Sequence, residues 1–192
     1  HIFISNYIDL IKPGSSGKPV PGYEVRLMKE DNSEADTNEI GELEVKGPTS
    51  AISYWNKPEK TKATFIGDWV KTGDKYTKDA NGIYKYCGRS DDMMKVSGQY
   101  VSPFEIEEAL QSHKYVLEAA VVGKKDKDEL LKPKAFVVLN DHNNETNLEK
   151  ELTEHVKKIL TPFKYPRWYE FVTSLPKTAT GKIQRYKLRI EK

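Results

Sequence analysis

Hydrophobic and polar positions along this chain follow two different periods. In the first part the repeat is short: Tyr23-Glu24-Val25-Arg26-Leu27 alternates with period two, as a strand with one buried face does, and Gly41-Glu42-Leu43-Glu44-Val45 repeats the pattern. Pro19-Val20-Pro21-Gly22 reads as a turn. Asp79-Ala80-Asn81-Gly82 reads as a second one leading into a strand at Ile83-Tyr84-Lys85-Tyr86, since Asn-Gly is a favoured hairpin dipeptide. Short strands with turns between them predict a small twisted sheet or barrel, a β-rich subdomain of distorted-barrel type.

Beyond Gly88-Arg89-Ser90-Asp91-Asp92 the period lengthens and helix alternates with strand. Ser102-Pro103-Phe104-Glu105 has the residues of a capping box with proline at the first helical position. The helix it opens should run to about His113 and bury Phe104, Ile106 and Leu110 in part. Residues 116–122 and 134–139 are strand candidates. Thr146-Asn147-Leu148-Glu149 is a second capping box, after which Leu148, Leu152, Val156, Ile159 and Leu160 follow helical spacing until Pro162. Residues 168–172 predict a third strand, and the loop 176–181 delivers Lys182 just ahead of a short basic segment. The fold class expected is α+β: residues 1–90 β-rich, residues 91–192 a compact α+β domain with a three-stranded sheet and helices. No internal repeat or low-complexity segment interrupts this.

Composition narrows the picture without settling it. The chain has 192 residues, 37% hydrophobic and 31% charged, which suits a soluble globular protein of one or two domains. The net charge of +2 gives no global basic field for nucleic acid. Residues 157–192 nevertheless hold ten Lys/Arg against Glu170 and Glu191, a local excess of eight. That run reads either as a solvated basic face or as a surface for a polyanion such as ATP or CoA. A single cysteine, Cys87, excludes an internal disulfide and fits a reducing compartment. The longest apolar runs, 119–122 and 135–139, fall far short of the roughly 18 residues of a bilayer span. With no signal peptide, the expectation is a cytoplasmic protein. The chain opens on His1, directly into Ile2-Phe3-Ile4, which reads as an interior cut.

Three clusters have the residues for chemistry. In Lys71-Thr72-Gly73-Asp74, Thr and Gly predict a tight turn presenting a carboxylate that can accept from two neighbouring ribose hydroxyls, although Gly-Asp turns are also common without any function. In Gly88-Arg89-Ser90-Asp91-Asp92, the planar fork of Arg89 suits phosphate or ribose. The adjacent carboxylates are costly to bury together and favour a solvated, mobile junction. Gly98, after Ser97, allows positive φ or a close approach of backbone to something else. An ordinary linker and hairpin would read the same way. In Pro176-Lys177-Thr178-Ala179-Thr180-Gly181-Lys182, a glycine frees Lys182 to reach a phosphate or carboxylate and neutralise charge between them. The spacing of a phosphate-binding Gly-x4-Gly-Lys-Ser/Thr loop is absent, and a solvated basic loop is the plainer alternative.

Taken in order, Thr-Gly-Asp, then Gly-Arg-x-Asp-Asp, then Pro-Lys-Thr-x-Thr-Gly-Lys resemble the adenylate-forming superfamily of acyl-CoA synthetases, peptide-synthetase adenylation domains and luciferases, over essentially the whole chain. Gly17-Lys18-Pro19-Val20-Pro21-Gly22-Tyr23, Tyr54-Trp55-Asn56 and Lys95-Val96-Ser97-Gly98-Gln99-Tyr100-Val101-Ser102-Pro103 resemble the benzoate-CoA ligases most. The resemblance implies an acid-thiol ligase using ATP, Mg²⁺ and CoA on an aromatic carboxylic acid, with no nucleic acid and no membrane span. It implies that Asp74 and Arg89 bind nucleotide, that Asp91 is a hinge, that Ser97 and Gly98 lie along CoA, and that Lys182 is catalytic, with no metal ligand in this chain. Residues 1–90 would be the last β-rich subdomain of a large N-terminal domain, and 91–192 a small mobile domain. The phosphate loop, the adenine-binding motif, the Mg²⁺ ligand and most of the acyl pocket would lie upstream, so this chain alone would be inactive. Two rivals are an adenylation domain loading a carrier protein and a non-catalytic truncated binding domain.

Overall fold

The computed structural model describes residues 2–140 and 147–190. The chain divides into two compact units, His1–Asp91 and Asp92–Lys192.

The first unit is built from β1 (Ile4–Ser5), β2 (Lys18–Pro19), β3 (Glu24–Met28), β4 (Gly41–Lys46), a short helix α1 (Pro58–Thr64), β5 (Phe65–Ile66), β6 (Trp69–Lys78) and β7 (Tyr84–Arg89). β1 and β2 pair with each other. The remaining strands form an antiparallel sheet ordered β3-β4-β6, with β5 and β7 sharing the far edge of the long β6. Among the described residues the sheet stays open, so the barrel alternative gives way to a twisted sheet. The period-two patterns are its centre: Leu27, Leu43 and Val45 are buried with Tyr84, and Phe3, Ile4, Tyr23 and Tyr76 pack around them. One polar position also turns inward. Glu44 is 4% exposed and accepts from Arg26 at 2.7 and 2.8 Å, while that guanidinium lies 4.1 Å over Trp69. A buried carboxylate is tolerated because a guanidinium pairs with it.

The second unit opens with a hairpin, β8 (Met94–Val96) and β9 (Gln99–Val101), followed by α2 (Pro103–Gln111), β10 (Val116–Lys125), β11 (Leu131–Leu139), α3 (Leu148–Ile159), β12 (Trp168–Phe171) and the single turn α4 (Arg185–Leu188). The sheet order is β10-β11-β12, antiparallel then parallel. The parallel pair needs a crossover, and the connection carrying α3 supplies it. The continuous apolar runs in β10 and β11 are explained by burial on both faces. Ala119, Val121, Ala135 and Val137 face α2 and α3 through Ile106, Leu110, Leu148, Leu152 and Val156. Ala120, Val122, Phe136 and Val138 face the other way, where Leu175, Val172, Ile183 and Leu188 of the C-terminal segment cover them.

Ser102 caps α2 by accepting from the Glu105 amide at 3.3 Å, as the capping pattern predicts. Phe104, expected to be partly buried, is 45% exposed. The buried stripe runs through Pro103, Ile106, Glu107 and Leu110, which turns position 104 outward. At the second capping box Thr146 lies outside the described residues, and Asn147 enters α3 at φ 68° without a side-chain cap. Ile159 closes α3 on its exposed side. Leu152, fully buried between α2 and the sheet, tests where this core sits. Leu152→Ala should cost about 2–5 kcal/mol of stability, read as a shift in the denaturant midpoint. A loss below about 1 kcal/mol would place the core elsewhere.

Candidate functional site

In the first unit the Thr-Gly-Asp segment is not a turn but a bulge inside β6. Across the sheet Glu42 pairs with Lys75 and Glu44 with Lys71, so Thr72, Gly73 and Asp74 stand against a single residue of β4. The ladder on both sides holds the chain extended, and the extra residues are absorbed by Gly73 at φ 74°. A Cβ at Gly73 would lie 2.8 Å from the Arg89 guanidinium, so the glycine also makes room for that side chain. The Thr72 hydroxyl donates to the Leu43 carbonyl at 3.0 Å and accepts from the Asp74 amide at 3.1 Å. This fixes the bulge and aims the carboxylate.

β7 places Arg89 directly opposite Asp74. Its guanidinium donates to the Thr72 carbonyl at 3.0 Å and to the Asp74 carboxylate at 3.2 Å, and lies 3.5 Å from Asp91. Partial burial works against the charge of Arg89, but Asp74 and Asp91 outweigh it and hold the guanidinium above its ordinary pKa. Asp74, Arg89 and Asp91, three of the six site residues read from the sequence, therefore form one charged group on one edge of the sheet. Asp74 keeps 26% of its side chain exposed and Arg89 48%, so both remain open to a ligand. The Ser90 hydroxyl beside them is buried without a hydrogen-bond partner among the described residues.

The second unit holds the other three. Ser97 at φ 50° and Gly98 at φ 82° form the tip between β8 and β9, where Val96 pairs with Gln99. Two successive positive φ values are those of a type I′ hairpin turn. Among the described residues beyond its chain neighbours, nothing lies within 4 Å of a Cβ built on Gly98, so the tip is bare.

Lys182 sits on the loop between Lys177 and Ile183, which bridge each other. The Thr178 amide donates to the Lys182 carbonyl at 2.8 Å, the Thr178 hydroxyl accepts from the Lys182 amide at 3.0 Å, and the Gly181 amide donates to the Thr178 carbonyl at 2.9 Å. Ile183 turns into the sheet core. Lys182 turns outward and is exposed, with no ion pair among the described residues.

Two expectations need correction. Asp91 and Asp92 do not share a solvated junction. The Asp91 side chain is 75% exposed, but that of Asp92 is 15% exposed and is gripped by Arg189 and, at 3.5 Å, by Arg185. Two guanidiniums offset the cost of burying it. The C-terminal basic run is likewise less of a free polyanion surface than its count suggests. Lys164 pairs with Glu105, Lys177 with Glu118, and Arg185 with Glu107, acids contributed by α2 and β10.

Glu107 is the residue that the sequence reading passed over. It is 4% exposed and accepts from Nη2 of Arg185 on both oxygens at 2.7 and 2.9 Å and from Nε at 3.3 Å, with the Val121 amide donating to it at 2.7 Å. Burial pushes its carboxyl above the ordinary carboxylate range, against the pull of Arg185 and of that amide. A signal was present: Glu107 stands in the inward stripe of α2, four residues after Pro103 and three before Leu110, where an acid calls for a buried cation.

Residues 105–182 match the family described as the AMP-binding enzyme C-terminal domain. The benzoate–CoA ligase of Thauera aromatica is 59% identical over 191 residues, covering 98% of this chain and 36% of that protein. Among solved structures, the anthranilate CoA ligase AuaEII in complex with anthranoyl-AMP superposes with a TM-score of 0.92 at 50% identity, covering 98% of this chain and 37% of its own. A benzoate CoA ligase from Burkholderia xenovorans gives 0.90 at 51% identity, covering 99% and 38%. The chain thus spans little more than a third of the length of each of these relatives.

Proposed function

We propose, from the match of this chain to the C-terminal part of adenylate-forming enzymes, that the full-length protein is an ATP-dependent aryl-CoA ligase. It converts an aromatic carboxylic acid into its acyl-adenylate and then into a CoA thioester. The observation that carries this reading is an intact Asp74–Arg89 pair and an exposed Lys182 in a chain 59% identical to a benzoate–CoA ligase.

In the first step a carboxylate oxygen of the acid bonds to the α-phosphorus of ATP, and the bond to the bridging oxygen breaks, releasing pyrophosphate. Asp74 accepts from the ribose hydroxyls, and Arg89, paired with it, faces ribose and phosphate. Lys182 lies between substrate carboxylate and α-phosphate and neutralises the negative charge that gathers there. In the second step the CoA sulfur, its proton lost, bonds to the acyl carbon and AMP departs with the electron pair. The bare Ser97-Gly98 tip suits close contact with the narrow pantetheine arm. Residues 1–90 act as the last β-rich part of a large N-terminal domain. Residues 91–192 act as a mobile domain that turns about Asp91 between the two steps.

Among the described residues no three His, Cys, Asp or Glu side chains come together in a way that could hold a metal ion. Mg²⁺ would take its ligands from upstream, and no step above runs through it. No helix among the described residues is long and apolar enough to cross a membrane. The enzyme proposed is a cytoplasmic one.

The full-length protein should release pyrophosphate from ATP in a benzoate-dependent manner and form benzoyl-CoA, while the 192-residue chain alone gives no ATP–pyrophosphate exchange above background. Exchange by the isolated chain, or acyl transfer to a carrier protein and not to CoA, would overturn the proposal.

A further inference from the structure

The loop bearing Lys182 is tied down at both ends, at its start to β10 and at its end to α2. At its start Lys177 pairs with Glu118 of β10. At its end Arg185 places a fork on Glu107, whose own oxygen accepts the β10 amide of Val121 at 2.7 Å. Arg185 has a second partner, Asp92, at 3.5 Å, and Asp92 also accepts from Arg189. Asp92 is the residue directly after Asp91. A short, half-buried chain of charges, Asp92–Arg185–Glu107, therefore runs from the point where the second unit begins to the residue three positions past Lys182.

Stability alone is a poor reason for such a chain. Desolvating three charges costs much of what their attraction returns, and apolar replacements of similar size are often as stable. What a two-sided guanidinium fork provides is direction. It meets two carboxylates in fixed planes, which an apolar contact does not. The side chains of Arg185 and Asp92 are 16% and 15% exposed and that of Glu107 is 5% exposed, so water offers little competition.

We infer that Asp92, Arg185 and Glu107 are positioning residues that hold the Lys182 loop at a fixed distance and angle from the hinge at Asp91, so that turning about the hinge delivers the ammonium to one place. This rests on the reading of Lys182 and Asp91 proposed above. The three residues act through Lys182 and need touch no substrate.

The test is a pair of double-mutant cycles in the full-length enzyme, with adenylation followed by benzoate-dependent ATP–pyrophosphate exchange and thioester formation followed from supplied benzoyl-AMP. Arg185→Lys keeps the charge and loses the fork. It should lower adenylation about 10–10²-fold, the scale of a reacting group misplaced by an ångström, and leave thioester formation within about threefold of normal. In a Lys182→Ala background the same change should have almost no further effect, because there is no ammonium left to misplace. Asp92→Asn, which leaves the Glu107–Arg185 fork in place, should behave alike and serves if Arg185→Lys folds poorly. Near-normal adenylation in both variants, equal loss in both half-reactions, or effects that multiply in full with Lys182→Ala would overturn the inference. Normal adenylation by Lys182→Ala alone removes the functional reading, and this inference with it. A crippled Lys182→Ala beside silent or fully multiplicative variants removes the inference only.

Discussion

Replacing Lys182 by alanine in the full-length enzyme is expected to lower adenylation about 10²–10³-fold and to spare thioester formation from supplied acyl-adenylate. The magnitude is that of losing one charge-stabilising contact in a transition state, about 2.7–4 kcal/mol, taken from oxyanion-hole donors. The selectivity follows from geometry. Lys182 is exposed, has no ion pair among the described residues, and stands in a loop whose backbone hydrogen bonds are made by Thr178 and Gly181, not by its own side chain. Removing the side chain therefore costs the fold little. The neighbour that matters for folding is Ile183, which packs against the sheet. Unchanged thermal unfolding together with a collapse of pyrophosphate exchange is the expected pair of results. Equal damage to both half-reactions would mean that Lys182 supports structure and takes no specific part in the first step.

The second large effect is expected at Asp91. Proline there fixes φ near −65°, removes a backbone donor and restricts Ser90 before it. If the second unit alternates between two orientations, the backbone at this boundary must adopt different torsions in each, and proline admits one set. Asp91→Pro should therefore leave one half-reaction near its normal rate and depress the other by orders of magnitude. A plain surface linker predicts something else: little change in either step, or a general loss of stability. The Asp91 side chain is 75% exposed and lies 3.5 Å from Arg89, so replacing it is not expected to unfold the protein. Measuring both steps beside the unfolding midpoint separates these cases, and a stable Asp91→Pro enzyme with both steps intact would end the hinge assignment.

What could be read from the sequence was local. The alternation at 23–27 and 41–45 fell on β3 and β4 of the first sheet, and the runs at 116–122, 134–139 and 168–172 fell on the three strands of the second. Ser102 and Pro103 opened α2 where the capping pattern put them. The misreadings share one cause. Thr72-Gly73-Asp74 has the composition of a turn, and only the ladder to β4, about 30 positions earlier, makes it a bulge in a continuous strand. Asp92 looked solvated because its partners are 93 and 97 positions away, counting from Asp92 to Arg185 and Arg189. The basic run looked unneutralised because its acids lie on α2 and β10, 59 to 78 positions upstream. A charge count along a chain registers neighbours in sequence, whereas burial is decided by neighbours in space.

The covering of β10 and β11 on their second face bears on how the protein is made. Leu175, Ile183 and Leu188 come from the stretch that carries Lys182, and without them Ala120, Val122, Phe136 and Val138 would lie open to water. A ribosome that stops before this stretch releases a chain with a bare apolar sheet, prone to capture by chaperones and proteases. The domain thus reaches its native form only after its lysine has been translated. Premature termination before this stretch is expected to yield degraded protein and no folded domain.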